Sequence, residues 1–415
     1  MIILSHPTAN QNVRQAALAF AEAGMLDEFW TCINWRENSL LDSLALRFPH
    51  LCRELRRRSF ARELQPYIHT VGWREWGRQI IGQLGWQQWF GGENGVFGID
   101  AVYQSLDRRV ATRVASAPTS KAVYAYDDGA VVTFRAAKAR GILCIYEHPI
   151  VHWRTVRRLQ EEEAELHPEW APTLGALTDS AEKLARKDEE LGLADAVITP
   201  TSFARQSILD GKTVTAPIHV LPYGTDACDT PVRPRSSLDK LRVIFVGALT
   251  QAKGLGYLLE AMEKLGDEIE LSLVGRRVSA EVPGPAVLGK YRWIPSLPHP
   301  ELLEEMSRHD VLVLPSLHEG FGLVMTEAMS RGLVVITTSH TAGPDLISDG
   351  TDGFIIPIRS SEAIEEKLSL LSREKERRRA MQEAARHKAL TIQWEDYRRR
   401  LVELAREVVG RGLNS

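Results

Sequence analysis

Two short stretches of this sequence hold residues whose types and spacing suit the chemistry of phosphates and sugar hydroxyls. The first is VGALTQAKG (246–254), in which a glycine closes an apolar run and Lys253–Gly254 open a helical pattern. A lysine beside a helix N-terminus makes an anion site, because its charge adds to the helix dipole and to the free N–H groups there. On its own the segment also fits a solvated surface lysine. The spacing is not GxxxxGK[ST], so it is not an ATPase P-loop. The second stretch is LPSLHEGFGLVMTEAM (314–329), where an apolar run ends at Pro315 and a loop with His318 and Glu319 enters a Gly-Phe-Gly helix start. Gly320 and Gly322 let the backbone approach a ligand closely, and their N–H groups suit a diphosphate. Glu327 follows about one and a half turns into the expected helix, over 320–332. A carboxylate beside a phosphate is repelled unless it accepts hydrogen bonds from hydroxyls, which a ribose or another sugar supplies. The plainer reading of Glu327 is a first-turn glutamate favoured by the helix dipole.

The elements that must position these loops are strands and helices in alternation. The chain has 415 residues, 44% hydrophobic and 25% charged, with a formal charge of −3. That length favours two or three domains, and the composition is that of an ordinary folded chain rather than a disordered or fibrous one. The near-neutral charge gives no global footprint for nucleic acid. Cys32, Cys52, Cys144 and Cys228 are too far apart for a Cys-x-x-Cys motif and read as reduced thiols of a cytoplasmic protein. The opening MIILSHPTANQNVR has too short an apolar run for a signal peptide, and no stretch is long and apolar enough to span a membrane.

Strands are expected at 2–4, 122–126, 142–146 and 196–200, with helices over 13–23, over 131–140 and from Ser202. TPVRPRSSLDK (230–240) lacks apolar periodicity and reads as a linker. Strands then recur at 241–248, 269–275, 291–295, 310–316, 333–338 and 353–358, with helices at 253–265 and 299–309 between them. Runs such as VIFV and VVIT suit parallel strands covered on both faces. The chain is therefore read as α/β, with two doubly wound Rossmann-like domains, and ligands are expected beyond the carboxyl ends of the strands.

With both loops in this setting, the sequence resembles the retaining family 4 glycosyltransferases. Glu319 and Glu327 enclose seven residues, which looks like that family's E-x7-E signature. The lysine loop VGALTQAKGLGYLLEAM, the approach RWIPSLPHPELLEEMSRHDVLVLPS, the following AGPDLISDGTDGFIIP, and DAVITPTSFAR with LPYGTD are similar to family segments. The resemblance implies the GT-B fold, two domains facing a cleft. Residues 1–225 would bind the acceptor, 226–240 link, 241–385 bind the nucleotide sugar, and 386–415 form a helical segment able to cross back to the first domain.

The resemblance also implies roles. Lys253 would neutralise the leaving diphosphate of a nucleotide-diphosphate sugar, and Glu327 would bind ribose. Glu319, Gly320, Phe321, Gly322 and Leu323 would meet the sugar and phosphates, and Gly247 would let the donor lie against the strand end. No cofactor or metal is implied, and the sequence has no Asp-x-Asp. The reading is a metal-independent hexosyltransferase that keeps the anomeric configuration, in polysaccharide or glycolipid assembly. Its rivals are an epimerase of the same fold and a non-catalytic sugar-binding member; no G-x-G-x-x-G follows the first strand to suit a dinucleotide enzyme. One departure is that Ala248 and Ala252 stand where many members carry an arginine, so either Lys253 works alone or Arg276 or Arg277 replaces that charge.

In the first half, SHPTANQNVR (5–14) stands where the family often has a glycine-rich loop, which makes Asn10, Asn12 and Arg14 candidate acceptor contacts. His148 ends a strand and resembles the family's cleft histidine; the plainer reading is a turn histidine before Pro149. Asp127 and Asp128 end another strand and are candidates for acceptor hydroxyls or, equally, turn residues before Gly129. Residues 41–80 hold eight arginines, no lysine and four acids, and Trp73, Trp76, Trp86 and Trp89 lie in or just beyond them. Arginine with tryptophan suits an anionic membrane surface, so peripheral contact with the inner face of the membrane through 41–90 is one reading and a packed amphipathic insertion the other. The expected partners are thus a nucleotide sugar and a carbohydrate or lipid-linked acceptor, and no nucleic acid.

Overall fold

The computed structural model describes every residue except 37–46, 48, 84–92, 94, 117–118, 213, 227, 229–239 and 413–415. Trp86, Trp89 and most of the expected linker lie outside the described residues. The first sheet is built from β1 (Ile2–Ser5), β2 (Leu26–Thr31), β3 (Ile68–Thr70), β4 (Ala122–Tyr126), β5 (Leu143–Glu147), β6 (Ala196–Thr199) and β7 (Ile218–Val220). Its order is β3-β2-β1-β4-β5-β6-β7, and every pairing is parallel. The second sheet holds β8 (Leu241–Val246), β9 (Ile269–Val274), β10 (Arg292–Ile294), β11 (Val311–Leu314), β12 (Val334–Thr338) and β13 (Gly353–Ile356). Its order, β10-β9-β8-β11-β12-β13, repeats the first and is again wholly parallel. In each sheet the strand order reverses once, between β1 and β4 and between β8 and β11, and that reversal opens a crevice at the carboxyl edge.

The buried runs follow the sequence. AVYAY, VLVL and VVITT are covered on both faces, as parallel strands between helices require. β2 has no such run, because Asp27 and Glu28 interrupt it. Both acids are satisfied: Glu28 accepts from Trp30 of the same strand and from Arg113 (2.7 Å each), and Asp27 from Ser120 (2.6 Å).

The helix Lys375–Ala389 buries Met381, Ala385 and Ala389 and packs on the helix Leu323–Ser330 of the second domain. The chain leaves that domain only after residue 389, so the expected boundary at 386 falls inside a helix whose apolar face is still engaged. The final helix, Trp394–Gly412, lies on Gln11–Glu22 of the first domain. There Arg398 donates to Gln15 (2.7 Å) and pairs with Glu22 (3.2 Å), while Tyr397 is buried among Tyr223 and Trp394. The chain thus spans from the second domain back to the first. All four cysteines are buried, and none is in a disulfide among the described residues. Among the described residues no helix is long and apolar enough to cross a membrane.

Candidate active site

The two loops singled out by their chemistry follow β8 and β11, so the fold places them at the crevice of the second sheet. Gly247 ends β8 with φ +153°, and Gly275 ends the neighbouring β9 with φ +157°. A Cβ on Gly275 would lie 1.7 Å from the Gly247 carbonyl oxygen, so only glycine lets these strand ends approach. Lys253 closes a 3-10 turn, Gln251–Lys253, and the helix proper begins at Leu255. Gly254, between them, has φ +69°, and a Cβ there would meet the Pro315 carbonyl oxygen at 2.0 Å. The Leu317 N–H donates to the Ala252 carbonyl (3.0 Å). This close seam brings the Lys253 ammonium and the Glu319 carboxylate together as an ion pair, although 66 positions separate them.

The helix that carries Glu327 starts later than the sequence suggests. Gly322 has φ +84°, a left-handed conformation that cannot belong to the helix, so Gly322 caps the run Leu323–Ser330. Glu327 is consequently just past the first turn rather than one and a half turns in. No side chain caps this helix start and no acid occupies its first turn, which leaves its positive end to an anion. Glu327 Oε1 lies 2.8 Å from His299 Nε2, and that contact raises the His299 pKa above its ordinary value. His318 Nε2 lies 3.0 Å from Gln160 of the first domain, and burial depresses its pKa to about 4. Arg276 is exposed; its carbonyl accepts from Leu249 (3.0 Å), which steadies the lysine loop through the backbone. Arg277 donates to the Ala280 carbonyl.

The first domain presses directly on the Glu319 loop. A Cβ on Gly320 would lie 2.0 Å from the Pro149 carbonyl oxygen, and Thr201 donates to the Gly320 carbonyl (3.1 Å). Phe321 packs edge-on against Tyr223 at 5.1 Å, and Phe203 stacks on His340 at 4.3 Å. The helix Trp153–Leu166 reaches across with Glu163, which is fully buried and accepts from Gln251 (2.7 Å), Tyr257 (2.8 Å) and Arg359 (2.8 Å) of the second domain.

His148 immediately precedes the Pro149 that touches Gly320. It is 2% exposed, with Nδ1 3.3 Å from Asp127 Oδ1, and neither ring nitrogen has a hydrogen-bond partner among the described residues. The other first-domain candidates divide. Asn10 is exposed and accepts from Thr8 (3.0 Å), and Arg14 faces the space between the domains. Asn12 instead turns inward, donating to Glu147 and to the Tyr223 hydroxyl (3.1 Å each). Asp127 and Asp128 are likewise spent inside the domain, on Lys187 Nζ at 2.6 and 3.0 Å. Burial opposes the Asp127 charge, yet Lys187 and His148 hold its pKa well below the carboxylate range. Asp128 is pushed up to about 6 by burial and by Asp127. Glu190 completes the cluster. It accepts from Tyr146 (2.8 Å) and two backbone amides, and burial and Asp127 push its pKa up to about 8. The sequence carried a usable sign of this cluster: Lys187 shares a helix face with Leu184 and Leu191, a charge where an apolar residue belongs.

In the 41–90 region, Glu75 is buried and bound by Arg58 (2.7 Å) and Arg78 (2.8 Å), and Trp76 packs toward Trp35. Trp73 is exposed, with the Arg74 guanidinium 4.5 Å from its ring centre.

Residues 230–388 match the family model of glycosyl transferases group 1. Among named relatives, an alpha-maltose-1-phosphate synthase of Mycolicibacterium smegmatis is 28% identical over 202 residues, 42% of this chain and 52% of that protein. A D-inositol 3-phosphate glycosyltransferase of Corynebacterium urealyticum is 28% identical over 179 residues, 40% of this chain and 42% of its own. The chain thus spans about half the length of the curated relatives it matches. Over the whole chain the fold is that of GT-B structures. A sucrose-phosphate synthase of Thermosynechococcus elongatus superposes with a TM-score of 0.67 at 17% identity, covering 99% of both chains. Anabaena HepE, in complex with UDP and glucose, does so with a TM-score of 0.63 at 14% identity, covering 98% and 99%.

Proposed function

We propose that the protein is a retaining glycosyltransferase that moves a sugar from a nucleotide-diphosphate donor to an acceptor hydroxyl in polysaccharide or glycolipid assembly. The observation that carries this reading is the Lys253–Glu319 pair, held at the reversal of the second sheet between glycines and an uncapped helix start. An entering diphosphate competes with Glu319 for the lysine and takes the free amides at Leu323 and its neighbours, and the released carboxylate turns to sugar hydroxyls. Glu327 accepts from ribose, with His299 as its protein partner. Arg276, in this reading, supplies charge from the loop after β9.

In the reaction the bond from the anomeric carbon to the phosphate oxygen breaks while a bond to the acceptor oxygen forms on the same face. The acceptor proton passes to the departing phosphate oxygen. Lys253 and the helix amides stabilise the charge that develops on that oxygen, so the work is electrostatic and asks for no metal. His148, Asn10 and Arg14 are the first-domain groups that remain to meet sugar or acceptor. Peripheral membrane contact belongs to the same reading, with Trp73 and the neighbouring arginines as its support.

The test is a thermal-shift screen of nucleoside diphosphates and their sugars, beginning with UDP, the nucleotide bound in HepE. A ligand at 100 times its Kd adds about 2.7 kcal/mol of stability. Stabilisation by a nucleoside diphosphate that Lys253→Ala loses is the expected result; the absence of any such ligand overturns the proposal.

A further inference from the structure

Between the domains lies a cavity of about 1130 Å³, walled by the Thr8–Arg14 segment and Glu54–Ser59 of the first domain and by Pro298–Pro300 of the second. A smaller one, about 310 Å³, adjoins it; the two share Arg14 and His299, and the smaller also contains Glu327. The large cavity is therefore contiguous with the ribose end of the candidate donor site, on the side that the first domain supplies.

Its wall is rich in arginine, but those cations are not equivalent. Arg57 is paired with Glu54 (2.8 Å), and Arg58 with the buried Glu75 (2.7 Å). Arg14 has no acidic partner among the described residues. Its Nη2 donates to the Arg57 carbonyl (2.6 Å), its Nε is buried without a partner, and its nearest aromatic contact is Phe60 at 6.0 Å. Burial lowers the Arg14 pKa, and no acid among the described residues opposes that effect. A half-buried guanidinium held by neutral groups is costly unless an anion completes it. Arg14 also stands in the first turn of Gln11–Glu22, whose cap residue Asn10 makes no side-chain cap bond and whose first turn holds no acid. The positive end of that helix and a guanidinium with no acid among the described residues face the same space.

We infer that the ligand bound by the first domain carries an oxyanion, a phosphate or a carboxylate, seated on Arg14 in this cavity. The inference rests on the transfer reading above and specifies its acceptor: an anionic hydroxy compound rather than a neutral sugar. The donor's diphosphate does not account for the site, because that reading places it on Lys253 in the other domain. The one titratable second-domain group in the large cavity, His299, is already held by Glu327. The volume exceeds the ~300–1,000 Å³ of most small-molecule sites, so the anion can carry a sugar or polyol with it.

The experiment uses the full chain saturated with UDP, which occupies the donor diphosphate site. Inorganic phosphate, glucose 6-phosphate, glucuronate and glucose are each titrated at constant ionic strength into the wild type, Arg14→Gln and Arg14→Lys. At least one anionic probe is expected to bind about ten- to a hundred-fold more tightly than glucose, and Arg14→Gln to remove that advantage while Arg14→Lys keeps part of it. A preference for phosphate and glucose 6-phosphate assigns a phosphorylated ligand; a preference for glucuronate assigns a carboxylated one. The inference is overturned if no anionic probe exceeds glucose on the wild type, a result independent of whether the variants fold. It is equally overturned if Arg14→Gln binds the anions as the wild type does. If UDP and the other nucleoside diphosphates fail to bind, the transfer reading falls; the Arg14 dependence of phosphate binding is then still read without them.

Discussion

The two domains share one strand order, yet their crevices have opposite contents. At the end of β8 stands Gly247; at the equivalent end of β1 stands His6, which is buried between the rings of Tyr103 and Tyr126. Burial lowers the His6 pKa to about 4, so it is a neutral packing group. Beyond β11 come Pro315 and the Gly-Phe-Gly turn. Beyond β4 come Asp127 and Asp128, closed off by Lys187, Glu190 and Tyr146. The topology supplies a crevice twice, and the side-chain volume and charge pairing at the first residues past each strand decide whether it stays open. The first domain has filled its own crevice and instead offers its outer loops to the space between the domains.

Four changes probe this contrast, from the largest expected effect to the smallest. Lys253→Ala removes the cation that the proposal places on the departing phosphate and should reduce turnover by roughly 2–4 kcal/mol, ~30- to 1,000-fold. Steady-state kinetics with a competent donor check it, and unchanged kinetics would remove the lysine from the mechanism. Gly254→Ala places a Cβ 2.0 Å from the Pro315 carbonyl oxygen in a left-handed backbone, and should destabilise the protein by ~1–3 kcal/mol or more, read by urea unfolding. A fully stable variant would show that the seam joining the lysine and glutamate loops is not tight.

His6→Ala opens the first-domain crevice. A loss of about 1–2 kcal/mol with unaltered nucleotide affinity is expected; tighter nucleotide binding would mean that the two crevices differ only by filling. The smallest effect is a slope. Glu190 has a folded pKa above its unfolded one, so the native state holds an extra proton between about pH 4 and 8, and its contribution to stability is lost as pH rises through that window. Buried His6, with its lowered pKa, works the other way from about pH 4 to 6.5. Glu190→Gln should therefore make unfolding free energy depend less steeply on pH between about 6.5 and 8, and an unchanged slope would remove Glu190 as its source.

The two domains were also unequally legible. In the second, strands such as VIFV and VLVL and the residues of the donor loops can be read directly, because each loop's requirements are met by neighbours in the chain. Glycines give close approach, a lysine gives charge, and a capless turn leaves amides free. In the first, β2 and β3 leave little trace: one is broken by Asp27 and Glu28, and the other spans three residues. Asn12, Asp127 and Asp128 carry the right chemistry for hydroxyl recognition, but the structure spends them on internal partners.

The sequence alone determined the alternation of strand and helix, the two-domain plan and the glycine–lysine–glutamate loops, since backbone conformation and burial of apolar runs are settled by residues close along the chain. Only the tertiary structure decided which polar groups remain available. Asn12 meets Glu147 across 135 positions, Asp127 meets Lys187 across 60, and Glu163 meets Arg359 across 196. Charges compensate one another by distance in space, and that distance is not written in local spacing.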